Sequence, residues 1–130
     1  MIALIRAAMC DFMPATAGLP GIADTHVTEF LQTLKRESGQ TYWIGLVLGA
    51  WVYALTPFMT VFVPLPAFLL PASLRDRHAQ RIMATRFYFL RQAVFLVRLS
   101  AGMCWGQDPK VRERLALSAY PADPGTYRTT

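Results

Sequence analysis

His26, His78, Cys10 and Cys104 are the side chains of this 130-residue sequence best suited to proton transfer, metal ligation or nucleophilic attack, and none stands in a spacing that such chemistry needs. Asp24 precedes His26 by two positions, but residues two apart on a helix do not share a face, so no acid–base dyad forms there. Both histidines read as solvated or capping residues. The two cysteines lie far apart with no CxxC, no CxxCH and no histidine beside either, which reads as two buried free thiols. GxGxxG, GxxxxGK[ST], GxSxG and HExxH are all absent, so dinucleotide, phosphate, ester and zinc-protease chemistry have no local signature. We therefore expect no catalytic, cofactor-binding or metal-ligating residue on this chain; a site assembled from distant residues stays open, because missing motifs do not exclude spatial clusters.

The elements that would have to position any such group are helical. Ile2, Ile5, Met9 and Phe12 mark a first helix over residues 2–13, ended by Pro14. After the turn residues Gly18-Leu19-Pro20-Gly21, Asp24 is placed to cap a second helix carrying Val27, Phe30, Leu31 and Leu34 at helical spacing until Gly39. Residues 42–56 form a third helix with small residues at Gly45 and Gly49. That spacing suits close helix contact in a membrane or in a protein core alike. Pro57, Pro64, Pro66 and Pro71 keep residues 57–71 irregular, with at most a short helical turn. From Ser73 to about Cys104 the composition predicts one long helix, apolar around its whole circumference and therefore enclosed. Asp108 caps a short last helix with Pro109 at its first position, and residues 118–130 read as an extended tail, frayed or docked through Tyr120 and Tyr127. No strand signal survives, so the expected fold is all-α: a single, irregular helical domain over residues 1–130 with a proline-broken apolar middle.

Charge and hydropathy say what such a domain must touch. The chain is 54% hydrophobic and 16% charged, against a usual charged share of about 25%. No charged side chain occurs between Ser38 and Leu74. Soluble chains of this size rarely leave contiguous apolar patches beyond a few hundred Å² in water, so this region must meet a core, a lipid bilayer or another protein. The net charge of +5 lies in the second half, where arginines are spaced among Phe, Leu, Val and Met rather than gathered in a run. Nucleic acid is accordingly not an expected partner. Arg86, Arg91 and Arg98 would together cost about 7–10 kcal/mol at a bilayer centre, which argues against the long helix as a span and for its enclosure by protein. Trp43, Trp51 and Trp105 could anchor a membrane interface or pack in a protein interface, and both readings stay open.

Three stretches carry a resemblance. Leu4-Ile-Arg-Ala-Ala-Met-Cys-Asp-Phe-Met-Pro14, then Gly18-Leu-Pro-Gly21 and Val27-x-x-Phe30-Leu31, are similar to the first helix, proline loop and second helix of the gluconate 2-dehydrogenase subunit 3 family. Those proteins are the small subunits of flavin-dependent dehydrogenases of the glucose-methanol-choline oxidoreductase superfamily. Phe89-Leu-Arg-Gln-Ala93 leading to Trp105-Gly-Gln-Asp-Pro-Lys-Val-Arg112 resembles the family's long helix and following aromatic-x-x-Asp-Pro-x-Val segment. The resemblance implies an accessory, non-catalytic subunit. Its large partner would hold FAD and the catalytic bases, oxidise an alcohol, sugar or sterol-type hydroxyl, and pass electrons to a cytochrome c or a quinone. It also implies a bacterial protein. With no twin-arginine leader here, the expected location is cytoplasmic or peripheral at the inner membrane, periplasmic only if carried by the partner's export signal.

The residues expected at the partner interface are Trp43, Trp51, Phe58, Phe62, Arg86, Arg91, Arg98, Trp105, Tyr120 and Tyr127. The alternative reading is a small integral or monotopic membrane protein with a hairpin or single helix near residues 42–71.

Overall fold

A computed structural model describes residues 1–119, 121, 122 and 124. Among these residues the fold is all-α: α1 (Ile2–Phe12), α2 (Val27–Glu37), α3 (Gln40–Leu55), α4 (Pro57–Thr60), α5 (Ala72–Met83), α6 (Tyr88–Gln107) and α7 (Pro109–Arg114). Two 3-10 turns, Ile22–Asp24 and Ala67–Leu69, punctuate the connections.

Helices α3 and α6 form the spine. Tyr42 donates its hydroxyl to Ser100 Oγ at 2.7 Å, and Ser100 in turn donates to the carbonyl of Leu96. One turn further along, Gly45 faces Leu96, and Gly49 faces Ala93 and Val97. Rising numbers on α3 meet falling numbers on α6, so the two run antiparallel. A β-carbon at Gly49 would collide with the Ala93 carbonyl oxygen, so the Gly45–Gly49 pair is used for close helix contact inside this chain. Ile5, Ala8 and Met9 of α1 pack on Leu46, Ala50 and Tyr53 of α3 and on Val94, Val97 and Ala101 of α6, which makes one core.

The long helix expected from Ser73 to Cys104 is instead two helices. Thr85 Oγ1 accepts from the amide of Phe87, and Arg91 donates to the Thr85 carbonyl. Side-chain bonds of this kind offer the backbone an alternative to the helical ladder. The break turns α5 back onto α6 so that His78, Ala79 and Ile82 join the buried set. Ser73 does not cap α5, which begins behind Pro71. Nor does Asp24 cap α2; its carboxylate accepts from the Gly21 amide and closes the first 3-10 turn. Asp108 does cap α7, accepting from the amides of Lys110 and Val111 at 2.9 and 3.3 Å. Cys10 and Cys104 are free thiols, and burial pushes both above the ordinary thiol value.

Candidate interaction surface

The chain's main buried polar cluster lies beneath α1, α3 and α5. Tyr53 donates its hydroxyl to Asp11 Oδ2 at 2.8 Å, and Arg75 Nε stands 3.6 Å from Asp11 Oδ1. On the other side of Tyr53 the imidazole of His78, 0% exposed, stacks on its ring with centroids 4.6 Å apart. His78 Nε2 lies 2.8 Å from the Tyr53 carbonyl, which can only accept, so Nε2 carries the proton and Nδ1 accepts from the Thr60 hydroxyl at 2.5 Å. The solvated or capping role expected of His78 is thus corrected: α5 turns it inward, and a backbone carbonyl and a hydroxyl satisfy both nitrogens. Desolvation lowers its pKa, with the Tyr53 carbonyl opposing. Burial raises Asp11 above the usual carboxylate value, opposed by the Tyr53 hydroxyl and Arg75. Burial, then the Asp11 charge, holds Tyr53 firmly protonated.

The cavity between Asp11 and Tyr53 measures about 30 Å³, room for a water or two. With each polar atom of His78 already committed and Asp11 occupied by Tyr53, this cluster braces three helices.

The outer side of the molecule is different in kind. On α3, Ile44, Leu48 and Leu55 recur on the side away from the core, and Ile44 and Leu48 are 57% and 58% exposed. On α6, Phe95, Leu99 and Met103 do the same. Because the two helices are antiparallel and share one core, their outward flanks lie side by side and make a continuous apolar stripe. The sequence signal for it was available: Gly45 and Gly49 mark the seam, and the large residues one step around the helix from them must then lie on the flank.

The expected interface residues divide. Trp51, 41% exposed, Phe58 and Phe62 are open to solvent, with Phe62 reaching 81%. Arg86 and Arg98 are exposed, and Arg91 is half-buried over the Tyr88 ring. Trp43 is half-buried with Lys35 over its ring, and Trp105 donates Nε1–H to the Pro20 carbonyl at 2.8 Å, pinning the loop before α2 to α6. Those two are largely spent inside the fold. Tyr120 and Tyr127 lie outside the described residues. Sequence reasoning missed Phe89, which at 85% is more exposed than any expected aromatic among the described residues, because a helix apolar all round was read as enclosed. The structure leaves one side of α6 open instead.

Among the described residues no helix is long and apolar enough to cross a membrane, and no three His, Cys, Asp or Glu side chains converge as a metal-binding group. Comparison with known protein families, with curated proteins and with solved structures yields no match for this chain.

Proposed function

We propose that this chain is a non-catalytic helical subunit that binds and stabilises a large FAD-dependent dehydrogenase acting on an alcohol, sugar or sterol-type substrate, with electrons leaving for a cytochrome c or a quinone. The observation that supports a docking role is the apolar stripe of Ile44, Leu48, Phe95, Leu99 and Met103 along the antiparallel α3–α6 pair. Two helices side by side offer a broad, shallow surface suited to another protein's apolar face, and burying it removes from water what the chain cannot hide by itself. The identity of the partner rests on the resemblance of the α1–α2 and α6–α7 segments to small subunits of flavin dehydrogenases.

The test is co-expression with a flavoprotein encoded beside it. The chain alone is expected to aggregate. With its dehydrogenase it is expected to be soluble in a complex holding one flavin, and Leu48→Glu or Leu99→Glu should abolish co-purification. A lone chain that is monodisperse and monomeric, or a complex indifferent to both charged variants, would sink the proposal.

A further inference from the structure

A second surface stands apart from the lateral stripe, at one end of the α3–α6 pair. The antiparallel pairing puts the end of α3 beside the start of α6, and α4 continues from that end. Arg81 Nη1 donates to the Thr60 carbonyl at 2.6 Å and ties the end of α5 to the same place. Here Phe58, Phe62, Phe87 and Phe89 project from α4, from the loop after it and from the turn into α6. Among them stand Arg77, Arg81, Arg86 and Arg91. Arg77 and Arg86 are exposed and have no acidic partner among the described residues, while Arg81 and Arg91 bond only to backbone carbonyls. Between Glu37 and Asp108 the sequence holds six arginines and a single acidic residue, Asp76. Of the other described acids, Glu29, Glu37, Asp108 and Glu113 belong to α2, α7 and their flanks at the opposite end of the spine, Asp24 to the turn before α2, and Asp11 is half-buried against Tyr53 and Arg75.

We propose that this end seats in the headgroup region of an anionic lipid bilayer, with Phe58, Phe62 and Phe89 among the upper acyl chains and the four arginines on lipid phosphates. Charge complementarity selects the occupant. A cationic, apolar end with almost no acid of its own matches a surface that is anionic outside and hydrocarbon beneath. Arginine forks donate paired N–H bonds to phosphate oxygens, and their aliphatic stems can lie along the phenylalanines while the guanidinium stays at headgroup level. Shape agrees. The exposed rings leave three separate segments, Phe89 edge-on to Tyr88, and lipid accommodates such wedges without preformed pockets. Phe62 stands at φ 58°, a left-handed backbone that a bulky residue rarely adopts, and this geometry carries its ring into solvent. Since no described helix can cross a bilayer, the seating is shallow and one-sided.

Flotation decides. The full chain is made by cell-free translation with phosphatidylcholine vesicles, with or without phosphatidylglycerol, so that bound chain floats and aggregate sinks. Flotation is expected only with phosphatidylglycerol. Arg77→Gln with Arg86→Gln should weaken it by about fivefold per arginine, and Phe62→Ser with Phe89→Ser should abolish it with the helical circular dichroism retained. Trp51, one turn from this end, should be quenched by shallow brominated lipid more strongly than Trp43 or Trp105. Leu48→Glu, which breaks the lateral stripe, should float like the parent, so failure of the docking reading and failure of this one give different patterns. No flotation on anionic vesicles, equal flotation on neutral ones, or indifference to both double variants would overturn the proposal, as would a protein partner that shields Phe62 and Phe89 where vesicles do not.

Discussion

The two ends of the α3–α6 pair contain similar side chains put to opposite uses. Near the start of α3, Tyr42 bonds Ser100, Trp105 bonds the Pro20 carbonyl and Lys35 covers Trp43, so each aromatic group has a partner inside the chain. Near its end, Phe58, Phe62 and Phe89 face solvent, Arg81 and Arg91 reach backbone carbonyls with Arg91 also over the Tyr88 ring, and Arg77 and Arg86 have no acidic partner among the described residues. Aromatic and basic content alone therefore says nothing about where a surface is. What separates fabric from docking site is how far each polar tip and each ring is satisfied locally, and the second end is the less satisfied of the two.

Both ends depend on the spine they share. Gly49→Val places branched carbon against the Ala93 carbonyl and Val97, a clash with backbone that cannot move without prying α3 from α6. We expect a loss of about 3 kcal/mol or more, a large part of the 5–15 kcal/mol typical of a domain. Circular dichroism melting should show it, and a variant as stable as the parent would mean that the seam is not the one described.

His78→Ala comes next. It opens a cavity beside Tyr53 and leaves the Tyr53 carbonyl and the Thr60 hydroxyl without their partner, a combined cost of about 2–4 kcal/mol. The site also carries a pH signature. His78 titrates below its ordinary 6.5 in the folded chain, so once pH falls under that value the unfolded chain binds the extra proton first and stability declines through the folded value. Asp11 runs the other way: its folded value lies above 3.8, so its contribution is present below that pH and fades as pH rises through the raised value. Denaturant midpoints measured from pH 7.5 to 5 should therefore slope downward for the parent and flatten for His78→Gln. An unchanged slope would remove His78 from the account.

A smaller pair of variants sharpens the contrast between the ends. Trp105→Phe keeps an aromatic side chain but loses the indole's second ring and its hydrogen bond to the Pro20 carbonyl, for about 1–2 kcal/mol. Phe89→Ser removes a larger apolar group, yet because that ring touches water it should change stability by less than about 0.5 kcal/mol. Equal losses from the two would show that Phe89 is packed in solution and that the ends do not differ.

Much of this was legible in the residues themselves. Pro14 placed the end of α1 and Asp108-Pro109 the start of α7, the period of Val27, Phe30, Leu31 and Leu34 gave α2, and Gly45 with Gly49 marked a helix contact. The break at Thr85 was not legible, since Thr, Arg and aromatic residues are all permitted in a helix and only the docking of α5 back on α6 decides against continuing it. His78 was missed for a related reason. Its partners are a carbonyl 25 positions away and a hydroxyl 18 away, and no local pattern announces them. The open side of α6 was misread because circumference-wide apolarity implies a cover only if the helix has neighbours all round, and α6 has them on one side.

A small gain in stability at Phe62 best separates stability from use. Phe62 holds a left-handed backbone at φ 58° with its ring mostly in water, so the ring offers the fold little in return for a conformation that costs a bulky residue about 1–2 kcal/mol. Asparagine tolerates that region because its short side chain can bond locally. Phe62→Asn should then raise stability by about 0.5 kcal/mol, seen as a small upward shift in melting temperature, while weakening flotation on anionic vesicles. A residue kept for packing would give the reverse, a lower melting temperature with docking intact. Opposite movement of the two readouts would mean that the strain at this corner is held for the sake of what the ring reaches outside the chain.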